Sequence, residues 1–160
     1  MATITQKTYS DVHFGSAPPY GNFSVRHLRL ETNSVGAVAN SDVATGVAIG
    51  DVVRVGVIPG GMKLIDFLMI ISDATTAALT GKIGFQYVDG VDDTAVPQDD
   101  DYFVAAGQSL ATAAVVRKTA ATKVVTLPKD AYLIVTTAGA ASDAVALIDF
   151  AITGEIIGPL

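Results

Sequence analysis

Hydrophobic and polar residues alternate with period two along most of this chain, and the alternation is clearest between Val47 and Tyr87. Val53, Val55 and Val57 alternate with Val52, Arg54 and Gly56, which predicts a strand with one buried face. Ile58-Pro59-Gly60-Gly61 then reads as a turn. Proline pre-sets φ there, and Gly60 and Gly61 supply positive-φ positions. Met62 to Ile71 runs on, apolar except for Lys63 and Asp66. Ile83, Phe85 and Tyr87 against Lys82, Gly84 and Gln86 give a third strand. The first two strands and their turn predict a hairpin, and a hairpin needs further strands to be stable.

The flanking chain supplies them. Phe23 to Glu31 alternates, with Phe23, Val25 and His27 on one face and Leu28 and Leu30 shifting register, which predicts a bulge. Tyr102–Ala106, Val115-Val116, Lys123–Leu127, Ala131–Thr137 and Val145–Ile157 are further strand candidates, the last with a bend or bulge at Gly154. Residues 107–114 are small and polar and read as a short helix or a loop. About eight strands at this spacing predict an all-β fold, a two-sheet antiparallel sandwich of the jelly-roll kind. Leu64-Ile65-Asp66-Phe67 recurs as Leu147-Ile148-Asp149-Phe150, so these two strands are candidates to lie side by side in one sheet.

Residues 1–21 break the pattern. They mix Tyr9, Phe14 and Tyr20 with Gly15, Pro18, Pro19 and Gly21, and the prolines favour an extended chain. The expected organisation is an extended N-terminal arm, 1–21, ahead of a sandwich domain, 22–160. Such an arm packs either on its own domain as an edge strand or on a neighbouring surface.

Composition narrows the function. At 160 residues, half of them hydrophobic, the chain suffices for one domain with a proper core. The net charge of −6 and the scarcity of arginine argue against nucleic acid as a partner. There are no cysteines, so disulfides and thiolate metal sites are excluded. No apolar run is long enough to span a bilayer as a helix, and the start carries no hydrophobic leader, so no membrane partner is expected and synthesis is expected in the cytoplasm of the producing cell.

Candidate chemistry is sparse. The one dense polar cluster is Asp89 to Asp101, with Asp89, Asp92, Asp93, Asp99, Asp100 and Asp101. Six carboxylates suit a hard cation in number, but their spacing departs from the EF-hand pattern and Pro97 stiffens the middle. The loop therefore reads as solvated, with no metal ligand assigned. His13 and His27 have no third partner in a zinc-type spacing. No nucleophile elbow, phosphate loop or dinucleotide fingerprint occurs, and there are only two glutamates and no tryptophan. We therefore expect no catalytic residues, no cofactor and no enzyme. The surplus of small apolar residues points to subunit contacts, with Ile156 buried and Leu160 at a contact.

Four phrases carry a resemblance: TYSDVHFGSAPPYGN, IGDVVRVGVIPGGMKL, VDGVDDTAVPQDDDYF and LPKDAYL. Together they resemble the capsid cement or decoration proteins of tailed bacteriophages. The resemblance implies a jelly roll on the outside of a phage head, made in the bacterial cytoplasm and bridging neighbouring major capsid proteins. It implies a homo-oligomer: a dimer as the commonest closed symmetry, or a trimer at a local three-fold position. Tyr9, Phe14, Pro18, Pro19 and Tyr20 are then the expected contact residues, because aromatics and fixed-φ prolines bind with little entropy lost. The alternative from another class is a carbohydrate- or receptor-binding module of a phage virion, with calcium in the acidic loop.

Overall fold

The computed structural model describes residues 1–6 and 23–157. They form ten strands: β1 (Thr3–Thr5), β2 (Phe23–Thr32), β3 (Val52–Ile58), β4 (Met62–Asp73), β5 (Thr80–Tyr87), β6 (Asp99–Ser109), β7 (Ala114–Arg117), β8 (Val125–Thr126), β9 (Ala131–Ala138) and β10 (Ala146–Ile156). There is no helix among the described residues; 107–109 extend β6, and 110–113 are a turn. The strands make two sheets, β1-β3-β9-β5-β6 and β2-β10-β4-β7, with the short β8 also on β4. Every pairing is antiparallel except that of β1 with β3. The fold is an all-β sandwich. Without β1 and β8, eight strands divide between two four-stranded sheets, changing sheet at every step except from β5 to β6, with the first pairing the last, the second the next to last, the third β7, and β5 pairing β6. That nesting is compatible with the expected jelly roll.

The expected hairpin does not form. β3 and β4 are joined by the predicted turn but lie in different sheets, so the turn carries the chain across the sandwich. Its hydrogen bonds show why. The Asp130 carboxylate accepts from Gly60 N at 2.7 Å, Leu127 O accepts from Gly61 N at 2.8 Å, and Met62 O accepts from Leu127 N at 3.0 Å. The turn is satisfied by the segment between β8 and β9, leaving both strands free to pair elsewhere. Only Gly61 uses positive φ, at 77°. Gly60 is needed for space: a Cβ there would sit 2.9 Å from the backbone of Lys129.

Other departures are local slips of register. β3 shifts between Arg54 and Gly56, so Val53 and Val55 face inward but Val57 does not, and Ile58 returns to the core. β4 has an irregularity opposite Thr153 and Gly154, which turns Ile65 outward while Leu64 and Phe67 stay buried. β2 has no bulge: its register with β10 is continuous from Phe23 to Thr32. Leu28, Leu30 and Thr32 face the core and Phe23, Val25, His27, Arg29 and Glu31 face out, in one unbroken period of two. The repeated Leu-Ile-Asp-Phe segments do fall on neighbouring strands, β4 and β10, although offset along them.

Aromatic rings join the two sheets. Phe67 of β4 stacks on Phe103 of β6 with centroids 4.7 Å apart, and it meets Phe150 of β10 at 6.0 Å. Tyr102 packs edge-on against both Phe103 and Phe85. Ile156 is buried, as expected.

Candidate functional site

The residues expected to make contacts, Tyr9, Phe14, Pro18, Pro19, Tyr20 and Leu160, lie outside the described residues, as does His13. The strand that precedes the first five is described. β1 runs parallel to β3 with Thr3 opposite Val52, Ile4 opposite Val53 and Thr5 opposite Arg54. Ile4 is 1% exposed and belongs to the core. Asp51, itself buried, holds the strand's start: its carboxylate accepts from Ala2 N at 2.6 Å and from Ala48 N at 2.9 Å. Asp42 holds its end, accepting from Thr5 N at 2.9 Å, while Gln6 N donates to Arg54 O.

The acidic segment is ordered by its own side chains. Asp93 accepts from Ala95 N and Val96 N, Asp92 from Gln98 N and Asp89 from Val91 N. Lys129 Nζ reaches Asp89 and Val91 O, both at 2.7 Å, and lies 4.7 Å from the Tyr87 ring centre. The Tyr87 hydroxyl donates to Val96 O at 2.5 Å. Burial, with Asp93, Asp92 and Asp89 nearby, pushes its pKa up to about 12. The loop is therefore an internally bonded cap on one end of the sandwich.

Asp99, Asp100 and Asp101 belong to β6 and not to the loop, contrary to the sequence reading. Their carboxylate oxygens lie within 4.8 Å of one another. Lys82 pairs with Asp100 at 2.6 Å, and the hydrogen bond with Asp99, helped by burial and the Asp99 charge, raises the Asp101 pKa. Below them, a groove of about 290 Å³ is floored by Phe85, Tyr102 and Val125 and walled by Val96, Pro97 and Thr122.

The outer face of the β2-β10-β4-β7 sheet mixes apolar and ionic groups. Cross-strand pairing aligns Arg29, Asp149, Ile70 and Val115 in one row and His27, Ala151, Leu68 and Arg117 in the next. Asp149 Oδ1 accepts from Arg29 Nε and contacts His27 Nε2, both at 2.8 Å. Burial alone would raise the Asp149 pKa, but the hydrogen bonds from Arg29 and His27 and their charges hold it below the ordinary carboxylate value. Phe23 and Val115 are each 68% exposed, with Val25 and Ile70 also on this face. The sequence held the signal: continuing period two from Phe23 through Val25 to His27, Arg29 and Glu31 places the apolar pair on the polar side. The arrangement sets exposed apolar side chains around the His27–Asp149–Arg29 cluster on an open sheet face.

No protein-family model matches the chain, and neither does any curated protein. Among solved structures, the chain is similar to one described as the capsid of Ralstonia phage GP4. The two are 18% identical, the likeness covers 96% of this chain and 97% of that one, and the TM-score is 0.64. A second, from the acidic stable capsid structure of Helicobacter pylori bacteriophage KHP30, is 12% identical over 83% of this chain and 91% of that one, with a TM-score of 0.48. The first likeness is one of fold, and it takes in nearly the whole of both chains.

Proposed function

We propose that this chain is a structural protein of a tailed-phage virion, a cement protein seated on the outside of the head and bridging neighbouring major capsid proteins. The observation that carries the reading is the end-to-end fold likeness to a phage capsid chain, in which neither chain has a large unmatched domain. The sequence phrases that resemble cement proteins support the same assignment. So does the outer face of the β2-β10-β4-β7 sheet, with its exposed Phe23, Val25, Ile70 and Val115. On this reading the chain acts by mass action: a protein that binds the assembled shell and not its looser forms stabilises that shell. Tyr9, Phe14, Pro18, Pro19 and Tyr20 are the proposed shell contacts, with Leu160 a further contact. A homodimer would make the second attachment intramolecular and so tighten the first.

Co-sedimentation with mature and immature heads of the cognate phage tests this. The expected result is saturable binding to mature heads and a higher temperature of head disruption. The variant Y9A/F14A/Y20A, which keeps β1, should fold normally and bind at least ten-fold more weakly. Absence of binding to either head would overturn the assignment. Full binding by the triple variant would overturn only the contact residues.

A further inference from the structure

We infer that the edge of β3 beside Asp51 is an acceptor site for the Thr3–Thr5 strand of a second copy of this chain, so that neighbouring copies exchange β1. The inference rests on the capsid reading only for where the copies meet.

The site is built for one strand. Val52 N donates to Ala2 O at 3.0 Å and Gln6 N donates to Arg54 O at 3.0 Å, so the β3 edge and the incoming strand satisfy each other. Thr5 and Asp42 exchange two bonds, Thr5 N to the Asp42 carboxylate at 2.9 Å and Asp42 N to Thr5 O at 3.2 Å. Asp51 fixes the register by accepting from Ala2 N while its own backbone oxygen accepts from Thr137 N at 3.0 Å. Ile4 is the single apolar plug, fully buried against the layer of Val53. Strand addition of this type takes affinity from main-chain bonds and specificity from alternate side-chain pockets.

The connection decides whose strand fills the site. β1 ends at Thr5, opposite Arg54, just before Gln6, and β2 starts at Phe23, near the Ile58–Met62 turn, since Arg26 Nε donates to Val57 O. Strand rise and sheet spacing put Gln6 and Phe23 on the order of 20 Å apart. The sixteen residues 7–22 that join them span up to about 55 Å when extended. That reach serves a neighbour's site as well as the chain's own. Every contact of β1 is the same in either case, so exchange loses no interaction energy and the outcome turns on local concentration. Copies arrayed on a shell face one another at effective concentrations in the millimolar range. Exchange then links them without any new interface.

The absence of native cysteines makes the test direct. Thr3 and Val52 are opposite in register on the outward side of the sheet. Two single-cysteine proteins, T3C and V52C, are mixed, allowed to assemble alone or on heads, and oxidised. The expected product is a covalent T3C–V52C heterodimer, with the linked peptides identified by mass. It should rise at least ten-fold from dilute to concentrated protein or on heads. The double variant T3C/V52C, oxidised when dilute, checks the geometry by closing within one chain. Closure of the double variant without any mixed heterodimer overturns exchange, and so does failure of both to close, because β1 would then not occupy the site. Co-sedimentation of the same samples is read separately. Binding without heterodimer leaves the capsid reading standing, and heterodimer without binding leaves exchange standing alone.

Discussion

Single side chains hold the ends of this sandwich together, and two of them give sharp predictions. Tyr87 is buried, and its hydroxyl is the donor for Val96 O at the base of the acidic cap. Y87F keeps the packing and removes that donor. The expected cost is about 0.5–1.5 kcal/mol, the net worth of one hydrogen bond, read from the urea midpoint. A midpoint equal to that of the parent would show that the cap does not depend on this bond. Asp149 yields a pH dependence. Its pKa lies below the ordinary value, so the folded state keeps the charge at pH values where the unfolded chain takes up a proton. Its contribution is complete above the ordinary carboxylate range, near 4, and is lost as pH falls through the lowered value. D149N should therefore cost about 1 kcal/mol at pH 7 and almost nothing near pH 2. A gap that widens in acid would reverse the assignment of the His27–Asp149–Arg29 cluster.

At the scale of the element, strand positions were legible wherever one face is buried without interruption. Ile83, Phe85 and Tyr87 all point inward as their alternation implies, and so does the long run of β10. What the alternation does not encode is which edge each strand pairs with. The Pro59-Gly60-Gly61 turn has the residues of a hairpin, but its bonds go to Leu127 and Asp130, some seventy positions away, and only the assembled sandwich brings these together. The acidic stretch was misjudged at its end for a related reason. Asp99 to Asp101 are charged, yet they start β6 because Gly84 on β5 leaves room for their backbone. A Cβ at Gly84 would fall 2.0 Å from Asp99 O and 2.7 Å from Asp100 Cα. G84A should destabilise by about 3 kcal/mol or more, since backbone must move and not merely a side chain. Thermal unfolding checks this, and a change under about 0.5 kcal/mol would mean that the β5–β6 pairing, whose register slips on both sides of Ile83, gives way easily.

For the whole molecule, the fold class could be read from alternation and composition, and the outer face of the β2-β10-β4-β7 sheet from the period of β2 once it is carried through without a bulge. Phe23 and Val25 are apolar in sequence and external in the fold. The unbroken register of β2 on β10 bears out what the period of two from Phe23 to Glu31 implies. The same pairing has a consequence for how the protein is made. β2 is among the first strands to leave the ribosome, and its partner β10 spans Ala146–Ile156, the last. β10 also separates β2 from β4, so a chain halted before residue 146 has no central strand on which to build that sheet. Folding of this sheet is therefore late: β2 stays without its partner until Ala146–Ile156 has been synthesised.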